Sequence, residues 1–182
     1  MDSLDAAARS FVRTIASPPL TAAMRGVSWL GEGVILAPLV ILVVVLLYRI
    51  RRPHHAWLFG LAIGGAEILD QTLKLLFHRL RPEPFFGLPK PATYSFPSGH
   101  AMVCACFFGL AAALIAGRQL RRGVRIAIWA AAALCAAMIG FSRIYLGVHY
   151  ATDVIGGWVA AILWMIAVWI VYRSRRGYAR HL

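Results

Sequence analysis

Charged residues are scarce in this chain of 182 residues, where they make up only 14%, against roughly 25% in ordinary soluble domains. Acidic residues are rarer than basic ones, with 7 Asp and Glu against 19 Lys and Arg. Apolar residues make up 60% of the sequence, and the mean hydropathy is strongly positive at +0.71. This composition excludes an ordinary soluble domain and indicates an integral membrane protein.

Cysteine is equally scarce. The three cysteines, Cys104, Cys106 and Cys135, all lie in apolar segments, where an odd number does not make a disulfide framework. We expect them to be small packing residues. The sequence also lacks any strand pattern or fixed-period repeat, so we predict an all-α fold in a single domain, residues 1–182.

Five apolar segments are each about 20 residues long, the length that a helix needs to cross a hydrocarbon core of about 30 Å. We therefore predict an integral membrane bundle of about five transmembrane helices over residues 27–171. The predicted spans are Val27–Tyr48, Trp57–Phe77, Gly99–Ala116, Val124–Phe141 and Ala151–Val171.

The first 20 residues are too short and too charged to cross a membrane, and they lack the features of a signal peptide. Asp5, Arg9 and Arg13 lie away from the apolar face, and Ser17-Pro18-Pro19 ends the helix. We predict an amphipathic helix in the membrane interface over residues 1–20, with a frayed tail as the alternative. Its apolar face consists of Leu4, Ala7, Ala8, Phe11, Val12 and Ile15.

The basic residues are distributed unevenly between the two predicted faces. Eleven of the 19 lie in the loops Arg49–His55 and Gly117–Arg125 and in a basic tail, residues 172–182. Positive charge in short loops marks the cytoplasmic side, and it suits contact with anionic lipid headgroups. Nucleic acid binding is disfavoured, because the basic runs are short and lack an aromatic platform. We predict a bacterial inner membrane protein with its other face towards the periplasm.

Three polar motifs stand at the ends of the apolar segments, all on the predicted periplasmic side. They are Lys74 with Arg81-Pro82, then Pro97-Ser98-Gly99-His100, then Ser142-Arg143 with His149 and Asp153. Together they offer three cations, two imidazoles and one carboxylate, a set that suits binding and attack of a phosphoryl group.

Lys74 and Arg81 are seven residues apart, which would place both on one face of a helix. Glu67 and Asp70 continue that stripe, and Asp70 is one turn from Lys74, where the two can pair. Ionisable groups inside a membrane usually face the bundle interior or a wet cavity. The alternative is that both cations extend to the interface.

The second motif opens a predicted span. Ser98 can cap the helix or supply a hydroxyl, and Gly99 lets an anion approach the free N–H groups of the helix start. His100 would project from the first turn towards that anion. An ordinary capped helix with a surface histidine is the alternative.

The third motif is the most specific. Arg143 offers a planar fork that matches phosphate oxygens. Asp153, four residues after His149, can fix the imidazole tautomer and leave the other nitrogen free to attack; a structural ion pair is the alternative. His100, His149 and Asp153 would be a minimal metal set, but three nearby cations would repel a metal ion, so we expect no metal and no cofactor.

The three motifs together resemble the signature of the type 2 phosphatidic acid phosphatase superfamily of membrane lipid phosphatases, over about Glu67 to Gly157. The resemblance implies that His149, oriented by Asp153, attacks phosphorus to form a phosphohistidine, and that His100 protonates the leaving oxygen. It also implies a phosphate-binding set of Lys74, Arg81, Ser98, the Gly99 backbone N–H and Arg143.

The expected activity is metal-independent hydrolysis of the terminal phosphate of a lipid phosphate or diphosphate. Undecaprenyl diphosphate is placed slightly first, followed by phosphatidylglycerol phosphate, phosphatidic acid and lipid A 1-phosphate. Two alternatives stay open: a phosphotransferase between lipids, and a non-catalytic protein that binds or transports lipid headgroups. Many bacterial members resemble six-span proteins, and the expected five leave one of those spans without a counterpart. The oligomeric state stays open.

Overall fold

The computed structural model describes residues 3–117 and 119–178, with residues 175–178 as backbone alone. Over this part of the chain it forms seven helices and no strand, which confirms the all-α prediction. The helices are α1 (Ser3–Ile15), α2 (Pro18–Leu30), α3 (Gly33–Arg49), α4 (Pro53–Phe77), α5 (Gly99–Ile115), α6 (Arg122–Tyr145) and α7 (Ala151–Tyr178).

α5 lies at the centre of the bundle, in contact with α4, α6 and α7. Its small residues Cys104 and Cys106 are buried in the main core, whereas Cys135 on α6 is exposed. The ring of Phe107 meets that of Phe59 on α4 edge to face, with centroids 5.7 Å apart. Small side chains let neighbouring helices approach α5 closely, as is usual in membrane bundles.

α2 and α3 replace the single helix expected over Val27–Tyr48, so that prediction of a continuous helix is wrong. The two axes differ by 44° across a short break. Glu32 lies in the break with an extended backbone, and Gly31 and Gly33 flank it. Glycine is a poor helix former, and the break lets Glu32 turn out of the apolar run.

Two of the described helices are long and apolar enough to cross a membrane: α6, and α7 over Ala151–Ser174. The bent pair of α2 and α3 makes a third if it counts as one span. α5 is apolar but has 17 residues, and α4 has 25 residues interrupted by ionisable groups. The number of five spans therefore stays a prediction. α7 continues into the segment expected to be a basic tail, whose residues 179–182 lie outside the described residues.

A second, smaller core lies where α1 and α2 cover the turn between α6 and α7. Leu4 and Phe11 of α1 point outwards and are about half exposed, which fits the predicted interfacial position. Asp5, expected on the polar side of that helix, is instead fully buried. The buried residues of this core are Val12, Met24, Tyr145, Leu146 and Val148.

Candidate active site

A single cavity of about 700 Å³ collects most of the predicted site residues. It lies where the C-terminal ends of α4 and α6 meet the N-terminal ends of α5 and α7. Ser98 and Asp153 are fully buried next to it, and the Ser98 backbone N–H donates to the Asp153 carbonyl at 3.0 Å. The other six predicted site residues line the cavity: Lys74, Arg81, Gly99, His100, Arg143 and His149.

His149 is carried by a tight turn that follows the last residue of α6. Gly147 has φ +72°, and a Cβ on it would stand 2.7 Å from the backbone nitrogen of Phe85. Only glycine combines that backbone conformation with that close approach. The backbone N–H of His149 donates to the Arg143 carbonyl at 3.3 Å. The third motif is therefore one local unit.

The contacts of His149 define its tautomer. Arg81 Nη1 lies 2.9 Å from His149 Nε2, and Asp153 Oδ2 lies 3.4 Å from Nδ1. A guanidinium group only donates, so Nε2 accepts and Nδ1 carries the proton that faces Asp153. Burial lowers the pKa of His149 to about 3, despite its hydrogen bond with Asp153. The imidazole is thus neutral near pH 7, with the Nε2 lone pair on the cavity side.

Asp153 is itself fixed by several donors. Its carboxylate accepts from the backbone N–H of Tyr150 at 2.8 Å, from the Ser95 hydroxyl, and from Arg79 Nη1 at 2.5 Å. Sequence reasoning missed both Ser95 and Arg79. Arg79 gave a signal, since it lies two residues before Arg81 in the same polar run, but Ser95 gave none.

Lys74 and Arg81 reach the cavity from different elements. Lys74 is in the last turn of α4 and pairs with buried Asp70, which confirms the expected pair. α4 ends at Phe77, and His78 adopts φ 49°, so the expectation that Arg81 shares the helix face of Lys74 is wrong. Arg81 is held instead by the carbonyl of Thr93 at 2.7 Å. Burial lowers the pKa of Arg81, against the attraction of Asp153 and Asp70.

Arg143 and His100 share a neighbour that the sequence analysis did not assign to the site. Arg143 Nη1 donates to the Ser28 hydroxyl at 2.5 Å and lies 3.7 Å from Glu32 Oε1. The same Glu32 oxygen lies 3.2 Å from His100 Nε2. An acid between two glycines inside an apolar run was the only sequence signal for Glu32. Its carboxylate contributes negative charge to the site.

Four buried polar atoms of the site have no hydrogen-bond partner among the described residues: Asp70 Oδ1, Ser98 Oγ, His100 Nε2 and Arg143 Nε. Two of them, Ser98 Oγ and Arg143 Nε, are donors. Ser98 occupies the N-cap position of α5 but makes no side-chain capping bond, so its hydroxyl is available to another group. Burying a polar atom without a partner costs about 1–3 kcal/mol. Donors left in this way beside a helix N-terminus suit an anion with several oxygens.

The cavity has an apolar end as well as a cationic end. Away from Lys74 and Arg81 it continues between α3 and α4, where Leu36, Val40 and Ile63 line it. A site with charge at one end and apolar walls at the other suits an amphiphile. No group of three His, Cys, Asp or Glu side chains converges as a metal site would require within residues 3–117 and 119–178, and metal independence stays a prediction.

A neutral imidazole among three cations, at one end of an apolar helical bundle, is an arrangement suited to phosphoryl transfer from a lipid. The model of the PAP2 superfamily matches residues 55–176, and the chain belongs to that superfamily. This confirms the resemblance seen in the motifs. The protein is therefore a lipid phosphatase of the PAP2 type, a hydrolase that acts on phosphate esters.

Two relatives and one solved structure support this assignment, and a second solved structure shares the fold. Phosphatidylglycerophosphatase B of Bacillus subtilis is 32% identical over 164 residues, which cover 90% of this chain and 80% of that protein. Undecaprenyl-diphosphatase of Sulfolobus acidocaldarius is 32% identical over 114 residues, 60% of this chain and 48% of that protein.

The crystal structure of a transmembrane PAP2 type phosphatidylglycerolphosphate phosphatase from Bacillus subtilis superposes with a TM-score of 0.84. It is 31% identical, and the match covers 94% of this chain and 86% of that chain. The crystal structure of Aquifex aeolicus LpxE gives a TM-score of 0.61 at 24% identity, covering 88% of this chain and 91% of that chain. The latter likeness shows the fold alone.

Proposed function

We propose that this protein removes the terminal phosphate from a membrane lipid phosphate or diphosphate through a phosphohistidine on His149. The observation that carries the proposal is the environment of the imidazole. Nε2 faces the cavity, where its lone pair accepts a hydrogen bond from Arg81, while Asp153 lies at hydrogen-bonding distance on the Nδ1 side. Such a nitrogen is a nucleophile, and the carboxylate behind it stabilises the positive charge that develops on attack.

In the first step, Arg81 shifts its hydrogen bond from Nε2 of His149 to a phosphoryl oxygen. Nε2 then attacks phosphorus, and the bond from phosphorus to the lipid oxygen breaks. His100 donates a proton to that leaving oxygen. Lys74, Arg81 and Arg143 hold the phosphoryl oxygens as negative charge develops on them. The Ser98 hydroxyl and the Gly99 N–H complete this set. Donors placed in advance around a developing oxyanion are a major source of catalysis.

In the second step, water attacks the phosphohistidine. His100, neutral after the first step, accepts the proton of that water, and the bond from phosphorus to Nε2 breaks. Inorganic phosphate leaves, and the lone pair returns to Nε2. The proton on Nδ1 stays beside Asp153 throughout, and no metal takes part.

The apolar end of the cavity supports a lipid as substrate. A headgroup held by the cations would leave its tail along Leu36, Val40 and Ile63, between α3 and α4. A relative that aligns with 90% of this chain and 80% of its own length is a phosphatidylglycerophosphatase, which favours phosphatidylglycerol phosphate as the first lipid to test. Undecaprenyl diphosphate, placed first from the sequence, becomes the second lipid to test. The reason is that the undecaprenyl-diphosphatase relative aligns over only 48% of its own length.

The site is proposed to open towards the periplasm. Its residues lie at the helix ends opposite to Arg49, which ends α3, and to the basic loop that precedes α6. The positive-inside rule places those basic ends in the cytoplasm of a bacterial cell. Labelling of single cysteines introduced at each end with a membrane-impermeant reagent tests this orientation.

Phosphate release from four lipids by the detergent-purified protein tests the proposed activity. The lipids are phosphatidylglycerol phosphate, undecaprenyl diphosphate, phosphatidic acid and lipid A 1-phosphate. We expect release from at least one lipid without added metal. We expect His149→Ala to lose it by at least a thousandfold while still binding lipid. His54→Ala, an exposed histidine at the other end of the bundle, is the matched control and should match the wild type.

The alternatives give different results in the same assay. A phosphotransferase would release little inorganic phosphate until an acceptor lipid is added, and the label would then appear on that lipid. A binding or transport protein would release none with any of the four lipids. Full activity of His149→Ala would rule out the proposed nucleophile.

A further inference from the structure

The interfacial helix α1 sends one carboxylate into the base of the site. Asp5 is fully buried, although it belongs to a helix whose Leu4 and Phe11 face outwards. Burying a carboxylate is costly unless it is paired and hydrogen-bonded. The position of Asp5 thus calls for partners, and its partners belong to the elements that carry the catalytic side chains.

One set of partners is the start of α7. The backbone N–H of Thr152 donates to Asp5 Oδ1 at 3.0 Å, and the Thr152 hydroxyl donates to Oδ2 at 2.9 Å. The first N–H groups of a helix have no partner within it, and negative charge is favourable there. Asp5 therefore caps α7 from a distant part of the chain. It binds at Thr152, the residue immediately before Asp153.

The other partner is Arg79, which joins two carboxylates. Its Nη2 lies 2.7 Å from Asp5 Oδ2, and its Nη1 lies 2.5 Å from Asp153 Oδ1. Its guanidinium also stacks over the ring of Tyr150 at 4.4 Å. Although burial opposes it, pairing with Asp153 and Asp5 raises the pKa of Arg79. A planar fork is needed to bond both carboxylates at once.

We infer that Asp5 and Arg79 are positioning residues, which hold Asp153 behind His149 and thereby make α1 part of the active site. This inference rests on the proposed function of His149 as the nucleophile. Neither residue lines the cavity, so both would act through Asp153 rather than on the substrate.

The charges of this cluster explain why both residues are needed. With Arg79 alone, the charge of Asp153 would be neutralised, and little negative charge would face the imidazolium that forms on attack. Asp5 restores one net negative charge to the group of three. Without Arg79, two carboxylates would lie close together at the start of α7 and repel each other. The other charges near His149 are the cations Arg81 and Arg143, which oppose a positive imidazole.

The test measures kcat and KM for phosphate release by Asp5→Asn, Arg79→Gln, Arg79→Lys and the double variant Asp5→Asn/Arg79→Gln. Positioning of the nucleophile affects the chemical step, so we expect kcat to fall about 10- to 100-fold in the first two while KM changes less than threefold. Arg79→Lys keeps the charge but not the fork, and should recover part of the loss. The kcat of the double variant should be no lower than that of the less active single variant, because both substitutions break the same series of contacts from Asp5 through Arg79 to Asp153.

Two controls separate positioning from general damage. Glu83→Gln removes an exposed carboxylate and Arg13→Gln an exposed guanidinium, and both should keep the wild-type kcat. Inorganic orthovanadate, which the cations bind, should still raise the melting temperature of Arg79→Lys. The inference is overturned if Asp5→Asn and Arg79→Gln keep kcat within twofold, if KM rises as much as kcat falls, or if the two losses multiply in the double variant. A wild-type protein that releases no phosphate would instead refute the proposed function itself.

Discussion

Replacing Gly99 by alanine tests the phosphate-binding end of the site with the addition of a single methyl group. An alanine Cβ at this position would stand 2.8 Å from Asp70 Oδ2 and 3.0 Å from Lys74 Nζ. Nonbonded carbon contacts normally lie at roughly 3.5 Å or more, so the pair must move. Both partners are buried and cannot swing freely into solvent. The ammonium group of Lys74 is therefore displaced from the place where it would meet phosphate.

The size of the effect follows from the interaction that is lost. A hydrogen bond to a charged group is worth about 1.5–3 kcal/mol, which corresponds to roughly 10- to 150-fold in kcat/KM. The fold should tolerate the change, since alanine is a better helix former than glycine. We expect the melting temperature to stay within a few degrees of that of the wild type.

Phosphate release from the preferred lipid in detergent micelles measures this prediction. Gly26→Ala is the matched control, because a Cβ there has no atom within 4 Å, and it should keep full activity. If Gly99→Ala keeps more than half of the wild-type kcat/KM while folding normally, the close approach of the Gly99 backbone to Lys74 has no part in catalysis.

Three further predictions concern Ser95, Glu32 and His149. Ser95→Ala removes one donor from Asp153 and should lower kcat about tenfold with little change in KM; an unchanged kcat would contradict this. Glu32→Gln removes the carboxylate 3.7 Å from Arg143. Since that side chain is 45% exposed, we expect orthovanadate to bind only about 1.5- to 5-fold more tightly, and weaker binding would argue against the reasoning. Burial lowers the pKa of His149 from 6.5 to about 3. As the pH drops below about 6.5, the unfolded chain therefore binds a proton at His149 that the folded protein does not, and the stability of the fold should decrease. The melting temperature of His149→Gln should depend less steeply on pH than that of the wild type, and an identical dependence would refute this prediction.

The apolar runs and the three motifs predicted much of this structure. The predicted second to fifth spans correspond to α4, α5, α6 and α7, with ends that differ by a few residues at most except at the end of α7. Because successive spans cross the membrane in opposite directions, counting the spans places all three motifs at the same end of the bundle. The cavity contains residues from all three motifs. Long apolar runs and motif spacing are local properties, so the sequence alone suffices for them.

The predictions that were wrong or incomplete concern places where tertiary contacts or breaks in a helix determine the position of a side chain. The helix break at Glu32 lies within a long apolar run, and the prediction of one continuous helix did not take account of the flanking Gly31 and Gly33. Arg81 precedes Pro82, and the residue before a proline disfavours the helical conformation, so that rule would have corrected its placement. Ser95 contacts Asp153, and Asp5 contacts Arg79, only after folding, through contacts that no sequence spacing encodes.

The account depends most on covalent phosphate transfer to His149. Rapid quenching of the wild-type protein at alkaline pH during turnover of a lipid with labelled terminal phosphate, followed by peptide mapping, measures it directly. We predict label on the peptide that contains His149, formed without added metal, and none in His149→Ala. Label on another residue, or steady phosphate release by a wild type that never carries label, would contradict the account.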